Sequence, residues 1–188
     1  MQKPVFVTGN PNKAKHFSKL IGLEIDHQAV DVDEIQSKDP EVVIRHKAFE
    51  AQRLIGKPVI VDDFSFWFHD YDGLPGPFVK FFVEAEDGLE RLCRIADILP
   101  TRRAKQAGHL AYCDGKYTEI FYGEISGVVV NHPVKQSGHS FGTDAIFAAD
   151  GYSGLTRAEL DEATYHELYL KIRPVEKLRE FLISLDKR

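Results

Sequence analysis

Cysteine is scarce in this 188-residue chain: Cys93 and Cys113 are the only two, and their separation matches no metal-type spacing. That argues against a disulfide framework or a structural zinc motif. It reads instead as two small apolar side chains packed in a reducing compartment. No apolar run is long enough to span a bilayer, and Met1-Gln2-Lys3-Pro4-Val5 enters an apolar strand without a signal-peptide core. The expectation is a cytoplasmic protein with no membrane partner. A surplus of positive charge is also missing, since 24 basic side chains face 29 acidic ones, for a net charge of −5. Such a field repels long polyanions and argues against nucleic acid as a partner. A few lysines gathered locally still suffice for a small phosphorylated ligand. No repeat, low-complexity tract or linker breaks the chain, so residues 1–188 read as one continuous domain.

What is present is patterned. Residues 4–8 predict a short buried strand, and Gly9-Asn10-Pro11-Asn12 a turn with Pro11 suited to the first turn of a helix. Phe17, Leu20 and Ile21 follow at helical spacing, and residues 23–32 predict a second strand. Asp39-Pro40 is a helix start, Ile44, Ala48, Ala51 and Ile55 form an apolar stripe, and Gly56 ends it. Residues 58–61 predict a third strand that ends at Asp62-Asp63. Beyond 64–68 comes the turn-rich Asp72-Gly73-Leu74-Pro75-Gly76-Pro77, then helices from Phe78 and from Asp87. Residues 103–113 and 117–130 predict a hairpin closed around Asp114-Gly115, and a loop over 132–142 leads to a short strand near 145–148. Thr156-Arg157-Ala158-Glu159 is a capping box expected to open a C-terminal helix, which Pro174 interrupts. The order βαβαβ, then hairpins, then helix predicts a mixed α/β fold with two lobes around a cleft.

Several segments carry chemistry. Thr8-Gly9-Asn10-Pro11-Asn12-Lys13 places free backbone N–H groups and a lysine at a strand-to-helix junction, which suits an anion. It also reads as an ordinary βα turn, and it is not a Walker A loop. Asp62-Asp63 follow an apolar strand where α/β sheets place ligands, and strand alternation gives the two different roles. One can bind Mg²⁺ while the other supports the metal or accepts a proton from water. Glu34 sits in the acidic run Asp31-Val32-Asp33-Glu34, solvated surface unless the fold brings it to Asp63. Lys47 flanks the apolar stripe, and Lys80 is a lone cation among aromatics. Phe141-Gly142-Thr143-Asp144 offers an aromatic face, a permissive glycine and a carboxylate, a set suited to a heterocyclic base or to a plain turn.

Together these segments resemble the inosine triphosphate pyrophosphatase family. The matching pieces are TGNPNK (8–13), Glu34, Lys47-Ala48, VIVDD (59–63), GLPGPFVKFF (73–82), FGTDAIF (141–147), DGYS (150–153) and Ala158-Glu159-Leu160. They occur in family order across nearly the whole chain. The resemblance implies a mixed, elongated central sheet with flanking helices (inosine triphosphate pyrophosphatase-like, or Maf-like), two lobes around a deep cleft, Mg²⁺ as cofactor and a homodimer. It implies a nucleoside triphosphate pyrophosphatase that converts non-standard purine (deoxy)nucleoside triphosphates to monophosphate and pyrophosphate. Carried over by position, Thr8, Gly9, Asn10 and Lys13 hold phosphate, Lys47 and Lys80 neutralise the rest of the chain, and Glu34 and Asp63 bind metal. Asp63 is also the general base, with Asp62 in support, and Phe141, Gly142, Thr143 and Asp144 line the base pocket.

One region departs from the family. Its lysine position is Tyr165, its Ser-His-Arg becomes Tyr169-Leu170-Lys171, and the aromatic between Gly142 and Asp144 is Thr143. Lys171 is the candidate to replace the arginine, with Arg173 or His166 as further donors. Two alternatives follow: the same hydrolase chemistry on a modified or pyrimidine nucleotide, and a nucleotide-binding protein that has lost turnover.

Overall fold

The computed structural model describes residues 2–9 and 11–186. Its elements run β1 (Val5–Val7), α1 (Pro11–Ile21), β2 (Asp26–Gln28), α2 (Pro40–Ile55), β3 (Val59–Phe68), β4 (Pro75–Gly76), α3 (Val79–Glu84), α4 (Gly88–Ile98), β5 (Arg103–Cys113), β6 (Thr118–Val129), β7 (Phe147–Ala149), α5 (Glu162–Ile172) and α6 (Val175–Asp186). The strands form one mixed sheet in the order β2-β1-β3-β5-β6-β7, with β4 paired to β3. β1 is parallel to both β2 and β3, whereas β4 and β7 are antiparallel to their partners β3 and β6. The mixed α/β architecture is the one that the pattern of strands and helices predicts.

The chain divides into two compact units. The first takes the chain up to Asp63, Gly108–Gly123 and the segment from Arg173; the second takes Phe64–Ala107 and Glu124–Ile172. In the first unit, α2 is fixed at both ends by its sequence. Asp39 accepts from the Glu41 N–H at 2.9 Å, Pro40 opens the helix, and Gly56 at φ 69° donates to the Gln52 carbonyl. The stripe Ile44, Ala48 and Ala51 is fully buried against Val5, Val7, Val59 and Val61 of the sheet. On α6, Phe181 packs onto Tyr112 and Phe121, with ring centroids 5.3 and 5.5 Å apart. In the second unit, Phe66 meets Phe68 and Phe147 edge-on at 5.3 and 6.1 Å, and Leu92 and Ala96 of α4 are buried.

Four boundaries differ from the sequence expectation. The second strand is only Asp26–Gln28, an exposed edge; Val30 and Val32 beyond it still pack partly against the core, but outside any strand. Residues 58–61 and 64–68 are not separate segments: β3 runs through Asp62-Asp63, which therefore lie inside a strand and not after one. The capping box at Thr156 forms, but it opens a 3-10 turn, Arg157–Glu159. The helix α5 starts at Glu162, where Asp161 accepts from the Ala163 and Thr164 N–H groups at 3.0 Å each. Finally, Gly142–Ala145 is a 3-10 turn and the short strand follows it.

Gly127 on β6 marks a close approach between strands in the second unit. A Cβ there would lie 2.2 Å from the Ala148 carbonyl oxygen and 2.7 Å from the Phe147 ring. Gly127→Ala is expected to cost about 3 kcal/mol, at the upper end of overpacking penalties. Gly138→Ala, where a Cβ meets nothing within 4 Å, is expected to stay within about 0.5 kcal/mol. Urea unfolding of the two variants checks this; equal stabilities would contradict the packing described.

Candidate active site

In the first unit, five segments distant in sequence bring charged side chains together. The first turn of α1 supplies Lys13, the loop after β2 supplies Glu34, α2 supplies Lys47, β3 supplies Asp62 and Asp63, and the α5–α6 junction supplies Arg173. The Asp62 carboxylate is buried. Its Oδ1 forms an ion pair with Lys13, and its Oδ2 accepts from Arg173 Nε at 2.6 Å. Lys47 Nζ donates to Glu34 Oε1 at 2.5 Å; the Glu34 side chain is 45% exposed and that of Lys47 only 15%. Asp63 Oδ2 is shielded from solvent and accepts no hydrogen bond among the described residues. Three cations thus face three carboxylates.

The electrostatics follow from this arrangement. Burial alone would raise the Asp62 carboxyl, but Arg173 and Lys13 overcome it and hold the group well below the usual carboxylate range. Asp63 moves the other way: burial pushes its carboxyl up against the pull of Lys47 and Lys13, and the neighbouring Asp62 and Glu34 add to the rise. For Lys47, burial favours the neutral amine, yet the carboxylates of Asp63 and Glu34 outweigh it and keep the ammonium above its ordinary value. The sequence expectation that Asp62 and Asp63 differ in character therefore has a physical basis: two cations in contact favour the ionised form of Asp62, whereas burial disfavours it in Asp63.

Other expected phosphate contacts are placed less centrally. The Thr8 N–H donates to the Gln28 carbonyl at 3.2 Å, and its own carbonyl lies 2.8 Å from His27 Nε2, which ties the end of β1 to β2. Gly9 is exposed, with open space where a Cβ would stand. Asn10 lies outside the described residues. Lys80 is exposed on α3 of the second unit.

The second unit holds a buried polar network that the sequence reading missed. Arg157 Nη1 donates to Asp144 Oδ1 at 2.6 Å and to Gln106 Oε1 at 2.8 Å, and Gln106 Nε2 donates to Thr143 Oγ1 at 2.9 Å. Asp144 Oδ2 accepts from the Tyr165 hydroxyl at 2.9 Å and from the Phe141 N–H at 3.0 Å. Arg157 also lies over the Tyr165 ring, 4.9 Å from its centroid. Both oxygens of Asp144 are thus engaged within the unit, in contacts that fix the turn. Its cation is Arg157, on the 3-10 turn, while Tyr165 stands where a lysine was expected. Arg173, the other candidate donor, contacts Asp62 of the first unit. Lys171 is exposed, donating to Glu167 Oε1 at 2.7 Å and to the Tyr152 hydroxyl at 2.9 Å. Phe141 and Gly142 are half-buried, with Gly142 left-handed at φ 60°.

Comparison with known proteins identifies the family. The Ham1 family model matches residues 4–181. The chain belongs to the Ham1 family. It is 34% identical to an inosine triphosphate pyrophosphatase of Scheffersomyces stipitis, over 98% of this chain and 100% of that protein. It is 34% identical to one of Emericella nidulans, over 95% and 96% respectively. A solved Ham1 protein from Coxiella burnetii shares the fold, with a TM-score of 0.81 at 24% identity over 98% of this chain and 100% of that one.

In this Ham1-family chain Arg157 is the least replaceable cation of the second unit. Arg157→Met would leave the buried Asp144 carboxylate without a counter-charge and is expected to destabilise the protein by about 3–5 kcal/mol. Lys171→Met, which removes only an exposed pair, is expected to cost less than about 1 kcal/mol. Urea midpoints of the two variants measure the difference, and near-equal values would contradict the assignment.

Proposed function

We propose that this chain is a magnesium-dependent nucleoside triphosphate pyrophosphohydrolase that releases pyrophosphate from non-standard purine (deoxy)nucleoside triphosphates. The observation that carries the reading is the cluster in the first unit, where Lys13, Lys47 and Arg173 gather with the carboxylates of Glu34, Asp62 and Asp63. The names of the fungal relatives, similar over almost their full lengths, support the same chemistry.

The donor set fits magnesium. Among the described residues no three His, Cys, Asp or Glu side chains gather. Magnesium, however, takes one or two carboxylates and completes its shell with water and phosphate oxygens. Glu34 and Asp63, both near enough to act on the Lys47 ammonium, would hold it, and the shielded Asp63 Oδ2 still lacks a hydrogen-bond donor. When bound, the ion supplies positive charge for the phosphate oxygens. Lys13 and Lys47 neutralise the charge that builds on the departing pyrophosphate, with Lys80, Thr8, Gly9 and Asn10 as further phosphate contacts. Asp63 accepts the proton of the water that attacks the α-phosphorus. Asp62, ionised and immobile, holds Lys13.

For the base, Phe141 offers the stacking face, Gly142 the close backbone approach, and Thr143 and Asp144 the fixed turn beneath them. Lys171 can exchange Glu167 for a base acceptor at small cost, since an exposed ion pair is worth about 1 kcal/mol or less. The rewritten donors favour a broadened base preference over strict reading of a 6-keto purine. No described helix is long and apolar enough to cross a membrane. Cytoplasmic residence and a homodimer complete the proposal, and sedimentation tests the latter.

The deciding experiment is pyrophosphate release, with Mg²⁺, from a panel of inosine, xanthosine, guanosine and pyrimidine triphosphates. Cleavage of at least one purine triphosphate is expected, with Asp63→Asn lowering kcat/KM by about 10²–10⁴. A folded protein that cleaves none of the panel would overturn the reading, and tight binding without turnover would point to a nucleotide-binding protein instead.

A further inference from the structure

Asp62 is held by two cations of unequal freedom. Arg173 is 3% exposed and reaches Asp62 across 111 residues of sequence, from the break where Ile172 ends α5 and Pro174 precedes α6. Lys13 pairs with the other carboxylate oxygen, and its side chain retains 17% exposure at the start of α1. Of the two, only the lysine has solvent access from which it could meet an incoming anion. To reach a phosphate it must give up at least part of its contact with Asp62. A buried carboxylate stripped of its counter-charge is strongly unfavourable. One that keeps a charge-assisted bond from a guanidinium, protonated at every working pH, is not.

We propose that Arg173 is a positioning residue that keeps Asp62 neutralised while Lys13 transfers from Asp62 to the phosphate chain of the substrate. This rests on the assignment of Lys13 to phosphate under the proposed function. The geometry divides the work cleanly, Arg173 Nε on Oδ2 and Lys13 Nζ on Oδ1. Without Arg173, Lys13 becomes the one cation of the cluster in direct contact with Asp62 and is locked to it, since Lys47 acts on that carboxylate only from farther away. Phosphate affinity then falls, although the lysine is intact. Arg173 touches no reacting atom in this scheme; its effect passes through Lys13 and vanishes when Lys13 is removed.

The test uses inorganic tripolyphosphate, which has no base or sugar, titrated calorimetrically with Mg²⁺ into the full chain as wild type, R173Q, R173K, K13M and K13M/R173Q. R173Q and K13M are each expected to weaken binding by about tenfold or more, and the double variant to bind within about twofold of K13M, the non-additivity of two residues acting as one unit. R173K, which restores a cation, is expected to recover part of the loss, and it carries the test if R173Q does not fold. With nucleotide, KM should rise more than kcat falls. Multiplying effects of R173Q and K13M, or wild-type affinity in a folded R173Q or R173K with lowered stability, would overturn the proposal and leave Arg173 a structural residue. If wild type binds tripolyphosphate but cleaves no nucleotide, the hydrolase reading fails while the coupling between Arg173 and Lys13 still decides this one. If wild type does not bind tripolyphosphate, the phosphate assignment and this proposal fail together.

Discussion

A carboxylate inside a sheet is tolerated only when cations come to it, and much of the first unit is arranged around that demand at Asp62. β3 carries the group between apolar neighbours, Val59 to Val61 on one side and the aromatic run from Phe64 on the other. Two elements answer it: the first turn of α1, through Lys13, and the α5–α6 break, through Arg173. The next carboxyl along the strand, Asp63, is pushed up mainly by its own burial, with the Asp62 charge a smaller contribution in the same direction. The contrast between the two carboxyls thus arises from which of them the cations contact directly. Lys47, held by Glu34 and felt by Asp63, adds a further cation to the cluster.

The second unit solves a related problem with different parts. The turn Phe141–Asp144 is pinned from below by Asp144, whose counter-charge Arg157 arrives from the neighbouring 3-10 turn and is itself steadied by Gln106 and the Tyr165 ring. An Asp–Arg pair of this kind fixes a backbone shape without presenting its own donors to a ligand. Tyr165, where the resemblance implies a lysine, takes part by donating its hydroxyl to Asp144.

How much of this was legible in the sequence depended on range. The caps of α2, the hairpin around Asp114, the helix break at Pro174 and the apolar stripes are local patterns with local causes, and they read correctly. β3 was misread because a pair of acids after three aliphatic residues looks like a strand end; only the sheet on both sides shows that it continues. Arg157 was hidden inside a capping box, where its position says surface, and nothing nearby in sequence announces Gln106 or Asp144 as its partners. The pairing of Arg173 with Asp62 was not legible, since a contact across 111 residues has no periodic signature. Its one local clue was an arginine set between Ile172 and Pro174 in an otherwise apolar stretch.

The central claim is that this cluster directs water to the α-phosphorus of a nucleoside triphosphate. Hydrolysis in ¹⁸O-enriched water, followed by mass spectrometry of the separated products, tests it most directly. The account predicts one labelled oxygen in the nucleoside monophosphate and unlabelled pyrophosphate. Label in pyrophosphate, or release of orthophosphate with a nucleoside diphosphate, would contradict it.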